Sequence, residues 1–388
     1  MTTHSPLDGV RVLDMSRVLA GPFAGRMLCD MGADVVKLEP PEGDVTRLWG
    51  REVGGISGYF NLQNAGKRGT CVNLSSPDGV ELVKQLVAQA DVLIENFRPD
   101  VMGRLGLAYE TLQAINPRLI MLSISGFGAN NPDSRRAAYA PIVHAEVGLV
   151  ARQSQISDAF PADMACSIAD TNASLHGLVA LLAALYARTS TGNGQHIDLA
   201  MVDASIVTND GMAQVLDDVP RPPPNEVHET SGGHLMIAGE FRFLWKQLTR
   251  HCGVEDGLDK DADLADKIKA RRAAAHEFFN QTCRNRAEVI AALDKMNMAW
   301  GDVRQFNETF ELESVKARGT ITEVDDKSGG TRRVTQSPYK FSASQSFVRG
   351  GAPHLGEHNT AVLEDWLGFD AQQIEAYSEV LISKSATA

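Results

Sequence analysis

Val10-Arg11-Val12-Leu13-Asp14-Met15, followed after a short gap by Ala20-Gly21-Pro22-Phe23-Ala24-Gly25 and Arg26 to Met31, sets the fold class. The first run alternates β-branched and apolar residues as a strand does, Gly and Pro punctuate a tight turn, and an apolar-periodic helix runs from Arg26 until Gly32 stops it. Val35-Val36-Lys37-Leu38-Glu39, closed by Pro40-Pro41, reads as a second strand. Strand, turn, helix and strand at this spacing make a βαβ unit, the building block of a parallel sheet.

The pattern repeats outward. Gly69–Leu74, Asp91–Phe97 and Leu119–Phe127 read as three further strands. Pro77 to Ala90 lies between the first two of them, and its Val80, Leu82, Val83, Leu86 and Val87 share one helical face. A long apolar helix precedes Thr191-Gly192-Asn193-Gly194-Gln195, and His196–Met201 reads as another strand of the same core. The texture then changes. Arg221-Pro222-Pro223-Pro224 is a stiff extended spacer, and charged helices follow from Asp261 to Met298, which reads as an inserted second domain. Pro338 to His358 is loop-like and rich in glycine, and a last helix over Ala361–Ala376 is placed to return to the first domain.

Composition limits the function. With 388 residues, 43% hydrophobic and 22% charged, the chain can bury the cores of two domains. A net charge of -12 argues against a general nucleic-acid binder. The apolar run Gly177 to Ala187 falls short of the roughly 20 residues of a membrane span, and the N-terminus lacks a basic segment followed by an apolar one. The expectation is a cytoplasmic protein with no membrane partner. The five scattered cysteines, Cys29, Cys71, Cys166, Cys252 and Cys283, form no CxxC pair and read as buried thiols. No HxH, HExxH or carboxylate cluster has metal-ligand spacing, so no metal site is expected.

Asp170 is the candidate nucleophile. It stands at the start of the long apolar helix in Ala169-Asp170-Thr171-Asn172, where an aspartate is a favoured N-cap and the helix dipole would lower its pKa. Capping and nucleophilic attack by the same anion are compatible. Ile94-Glu95-Asn96-Phe97-Arg98-Pro99 lies at a strand's carboxyl end, where open α/β sheets bind ligands. Asn96 could bond an adenine or pantetheine amide, Phe97 could pack on a thin ligand, and Arg98 or Arg104 could pair with phosphate. Arg135-Arg136 is a second basic cluster, and His144 a lone imidazole. The turn after the first strand lacks GxGxxG, which argues against a dinucleotide, and Ser123-Ile124-Ser125-Gly126 lacks the first glycine of a nucleophile elbow.

Further stretches carry a resemblance: Pro6 to Asp14, Gly32 to Glu39, Gly43-Asp44-Val45-Thr46-Arg47, Asn64 to Arg68, Asn96 to Pro99, Asn116 to Ile120, Ser125 to Gly128, Thr191 to Gln195, and Ala352 to His358. Together they resemble the class III coenzyme A transferases, the group of formyl-CoA transferase, carnitine CoA-transferase and α-methylacyl-CoA racemase. The match is dense over residues 6–205 and loose over 206–335.

The resemblance implies an α/β protein with a Rossmann-like large domain built from residues 1–205 and 336–388, and a smaller α+β domain with its linker from 206–335. It also implies a homodimer of interlocked rings. It places the catalytic aspartate at Asp170 and the CoA site along Leu19, Ala20, Val72, Asn73, Asn96, Phe97, Arg98, Arg104 and the loop of Arg136, Ala137 and Tyr139. The position after the acidic strand end, often arginine in the family, is Pro40. The expected activity is transfer of CoA from an acyl-CoA donor to a carboxylic acid acceptor. CoA is then substrate and product, and no cofactor is permanently bound.

Racemase relatives carry a His-Asp pair where Tyr139-Ala140 stands, and a phenol is a poor substitute for that imidazole base near neutrality. Transfer is therefore preferred over racemisation, with a 2-methylacyl-CoA racemase or isomerase and a non-catalytic CoA-binding protein as the alternatives. Leu19 and Ala140 replace the glutamine and glutamate of formyl-CoA transferase, which points away from oxalate and formate. The sequence leaves open whether Tyr139, His144 or Glu240 assists.

Overall fold

A computed structural model describes residues 4–216, 226–259 and 261–383. Its centre is a six-stranded sheet of β1 (Arg11–Asp14), β2 (Asp34–Glu39), β3 (Arg68–Cys71), β4 (Val92–Glu95), β5 (Ile120–Ser125) and β6 (Gln195–Ala200), in the order β3-β2-β1-β4-β5-β6. Every pairing is parallel. Val12, Leu13, Val92, Leu93, Ile94, Ile120 and Leu122 are fully buried, because helices cover both faces and leave no polar side for alternation. The chain reverses direction in strand order between β1 and β4. Ligands of such sheets bind at the carboxyl ends on either side of that reversal.

One face carries α1 (Ala20–Asp30), α5 (Ile168–Thr191) and α6 (Met201–Val207) over a core that includes Val12, Ile94, Leu122, Ala173 and Leu181. The other carries α3 (Pro77–Gln89), whose Leu82, Val83, Leu86 and Val87 are buried as the periodicity predicts. Against α3 packs the helix Asn359–Leu367, joining the two ends of the chain in one core. The expected single helix over Ala361–Ala376 is two, Asn359–Leu367 and Ala371–Glu375, broken by Gly368 in the left-handed region at φ 68°.

The expected turn Ala20–Gly25 is instead the first half of α1, which begins six residues before Arg26. Pro22 is tolerated because the first helical turn has no intrahelical partner for its missing N–H. A Cβ at Gly25 would lie 2.7 Å from Asp14 Oδ2, so this glycine admits the helix beside the buried Asp14–Lys67 pair.

The helix α5 also differs from expectation. At 24 residues it is long and apolar enough, by length and composition, to cross a membrane. Its Ala169, Ala173, Gly177, Leu178, Leu181 and Ala184 are buried, and it packs on α1, α6, β5 and β6 as a core helix. Its other side exposes Leu175, Val179 and Tyr186.

The chain divides into two compact units, residues 1–210 with 314–388, and 211–313. Residues 206–210 and 314–335, assigned from the sequence to the small domain, thus belong to the first unit; Ile321–Asp325 and Thr331–Thr335 form a hairpin there. The second unit has a three-stranded antiparallel sheet of Glu226–Thr230, Gly233–Ile237 and Trp300–Asp302 and its own core around Leu235, Leu248, Phe279 and Leu293. Its charged region contains the helices Leu264–Glu277 and Arg286–Lys295. The spacer Arg221-Pro224 lies outside the described residues. Of the cysteines expected to be buried, Cys166 is exposed.

Candidate active site

At the carboxyl ends of β1 and β4 a cleft of about 140 Å³ brings together Asp170, Ala20, Asn96, Phe97, Arg98, Arg136 and Tyr139. With Ala137, eight of the sequence candidates therefore meet in one place. Four do not line it. Leu19 is buried, its carbonyl accepting the Phe23 amide as α1 begins. Val72, just past the end of β3, is fully buried in the core beneath α3, and Asn73 next to it donates its amide to the Val380 carbonyl. Arg104 is exposed and pairs with Asp100 at 3.1 Å.

Asp170 is not the N-cap of its helix. Ser167 occupies that position, and Asp170 is the third residue of the first turn. The expected depression of its pKa is also reversed: burial pushes the carboxyl up to about 6, opposed by the nearby Ala140 and Ala20 amides. Desolvation outweighs the helix dipole here because the dipole's influence is modest beside the penalty of removing a carboxylate from water. Near neutrality the group is still about nine-tenths ionised. A desolvated anion facing two backbone amides is a strong nucleophile with hydrogen-bond donors already in place.

A buried network holds the segment that leads from β1 to the cleft. Lys67 Nζ lies 2.7 Å from Asp14 Oδ2 and also donates to Pro22 and Asn64, while Lys37 donates to the Ser16 carbonyl and lies 3.5 Å from Asp44. Asp44 Oδ2 accepts the Val18 amide at 3.1 Å. Val18 lines the cleft with φ at 68°, a conformation that strains a β-branched residue and survives only where its surroundings hold it. Asn96 provides the second hold. Its Oδ1 accepts the Arg17 amide at 2.8 Å and its Nδ2 donates to the Arg17 carbonyl at 2.7 Å. The side chain expected to bond a ligand amide is thus occupied in shaping the Arg17–Val18 turn.

Phe97 is presented by a turn that Glu95 stabilises, its Oε2 accepting the Phe97 amide at 2.8 Å. Burial pushes the Glu95 carboxyl up to about 7. Phe97 and Arg17 also border a neighbouring hollow of about 300 Å³ that reaches Leu74 and Leu105. Arg98 is exposed at the mouth; Arg136 is held by Glu146 and Asp133 and stacks over the Phe127 ring at 4.5 Å. Tyr139 is 57% exposed at the start of α4 (Ala140–Glu146).

Sequence reasoning missed Arg17, Val18 and Tyr59. Tyr59, on α2 (Gly58–Asn64), has its phenol pKa raised by burial and by the charges of Asp170 and Asp44. No motif marks it, because its nearness to Asp170 is created by folding. His144 is fully buried behind Asp170, and Glu240 is an exposed residue of the second unit.

The doubly wound α/β sheet thus carries a desolvated carboxylate beside the carboxyl ends of its switch-point strands. The chain belongs to the CoA-transferase family III, whose model matches residues 7–359, and it is a class III CoA-transferase. It is 34% identical to the succinate–glutarate CoA-transferase of Agrobacterium fabrum, over 93% of this chain and 95% of that one. The formyl-CoA:oxalate CoA-transferase of Escherichia coli O157:H7 is 30% identical over 97% of this chain and 99% of its own. A solved structure of a CAIB/BAIF family protein from Brucella suis matches 94% of this chain and 100% of that one, with a TM-score of 0.79 and 32% identity.

Proposed function

We propose that this chain transfers CoA from an acyl-CoA to a carboxylic acid through covalent intermediates on Asp170. The observation that carries the reading is the Asp170 carboxylate, desolvated in the cleft with the Ala20 and Ala140 amides near it. Its oxygen attacks the donor thioester carbonyl, the C–S bond breaks, and CoA leaves as thiolate, giving a mixed anhydride. The thiolate then attacks the aspartyl carbon, displacing the donor carboxylate and leaving an aspartyl-CoA thioester. The acceptor carboxylate displaces the thiolate to form a second anhydride, and attack of the thiolate on the acceptor's acyl carbon regenerates Asp170. No proton is gained or lost overall. The two amides would stabilise the oxyanion that develops on the aspartyl carbon.

The CoA thioester lies along Phe97, with Arg98 and Arg136 supplying positive charge for its phosphates. The two CoA-transferases named above are named for succinate, glutarate, formyl-CoA and oxalate, and the acceptor is proposed to be a carboxylic acid larger than formate or oxalate. The exposed stripe Leu175, Val179 and Tyr186 on α5 supports a homodimer in which a second copy covers it; the interlocked arrangement is proposed on the family resemblance alone.

Mass spectrometry after incubation with a panel of acyl-CoA thioesters should find CoA bound at Asp170. Asp170→Ala should fold and lose transfer entirely, and turnover in that variant refutes the assignment.

A further inference from the structure

Immediately behind Asp170, the first turn of α5 is tied to α4 by a histidine that the reaction scheme does not use. His144 has no exposed surface. Its Nε2 lies 3.1 Å from the amide nitrogen of Ala169, and its Nδ1 lies 2.8 Å from Asp163 Oδ1. A backbone amide only donates, so Nε2 carries the lone pair; the ring proton is then on Nδ1 and is donated to the Asp163 carboxylate. The two partners together fix one tautomer.

The histidine supplies what the helix start lacks. Early amides of a helix have no internal acceptor, and the N-cap Ser167 makes no side-chain cap bond. His144 takes the amide of Ala169, the residue before Asp170. The same short helix α4 offers its first amide, that of Ala140, to the Asp170 carboxylate. The contact is reciprocal: α4 donates to the side chain of Asp170, and the backbone beside Asp170 donates to α4.

We propose that His144, held in its Nδ1–H form by Asp163, is a positioning residue that fixes the direction in which Asp170 presents its carboxylate to the thioester. His144 does not line the cleft and touches no substrate, so it acts only through Ala169 and Asp170. The proposal rests on Asp170 being the nucleophile. Phe97 and Arg98 lie in the turn after β4 and are independent of this contact, so binding of CoA should survive its loss.

His144→Leu removes the acceptor and keeps an apolar side chain, whereas His144→Gln returns an oxygen near the position of Nε2. The expected result for His144→Leu is a fall in kcat of about 10- to 100-fold, the scale of a misdirected attacking group, with KM for the acyl-CoA within about twofold. His144→Gln should recover most of kcat. Asp163→Ala, at a surface position, should lower kcat less and leave KM unchanged.

Nitrogen-15 NMR of the histidine rings in the unaltered protein should show a proton on Nδ1 of His144, a measurement that stands even where His144→Leu fails to fold. An unchanged kcat in His144→Leu, a loss that His144→Gln does not restore, or a proton on Nε2 overturns the proposal. Asp170→Ala separates the two readings: activity there defeats the nucleophile assignment itself. An inactive Asp170→Ala beside a fully active His144→Leu defeats only the positioning role.

Discussion

Replacing Asp170 by Asn should stabilise the protein at alkaline pH while abolishing its chemistry. Burial raises the Asp170 pKa from 3.8 to about 6, so between these values the folded state holds a proton that the unfolded state releases. Stability attributable to this group is therefore unaffected below pH 3.8, falls as pH rises toward 6, and is fully lost above it. A shift of about two units at 1.36 kcal/mol each corresponds to about 3 kcal/mol, which the partial exposure of the side chain reduces to about 2 kcal/mol. Asn removes this penalty. It also leaves one of the Ala20 and Ala140 amides facing an NH2 group, a loss of about 1 kcal/mol that does not vary with pH.

Urea unfolding of both proteins from pH 4 to pH 8 should therefore give a difference that moves by about 2 kcal/mol in favour of Asp170→Asn. The change should be concentrated around pH 4–6. A difference that is flat with pH, or one that moves the other way, refutes the account of a carboxylate held at a cost for catalysis.

Glu95 presents a similar case without nucleophilic chemistry. Its pKa is raised by burial from 4.5 to about 7, so Glu95→Gln should gain up to about 3 kcal/mol at pH 8 and nothing near pH 4, read from denaturation midpoints at the two pH values. Gly194→Ala tests the turn before β6: a Cβ there would stand 1.9 Å from the Leu119 carbonyl oxygen, and the backbone must move. The expected loss is about 3 kcal/mol or more, against about 1 kcal/mol for Gly192→Ala, where φ of 73° is the main objection. Equal losses at the two glycines would contradict the close approach.

The strands of the parallel core expected before residue 130 were legible because strands buried on both faces read as short apolar runs, and β6, largely exposed, by the alternation of Ile197 and Leu199 with polar residues. The stripe of α3 was legible because its period of 3.6 follows from local geometry. The start of α1 was not, since Gly21, Pro22 and Gly25 carry turn signals and only close packing on Ser16 and Asp14 explains their place in a helix. Within the site, Phe97, Arg98 and Asp170 were readable as residue types suited to their chemistry. The occupation of Asn96 by Arg17 was not readable, because the two are 79 positions apart.

By itself the sequence determined the α/β class, the succession of βαβ units, the family and the identity of the candidate nucleophile. These depend on local periodicity and on motifs that are contiguous in the chain. Only the tertiary structure decided the state of that nucleophile, placing Asp170 third in its helix and desolvating it so that its pKa rises, against the lowering effect of two nearby amides. It also assembled the Val18 turn, the nearness of Tyr59 and the His144–Ala169 contact. Burial, desolvation and hydrogen bonding between distant segments exist only once the chain has closed, so no local pattern encodes them directly.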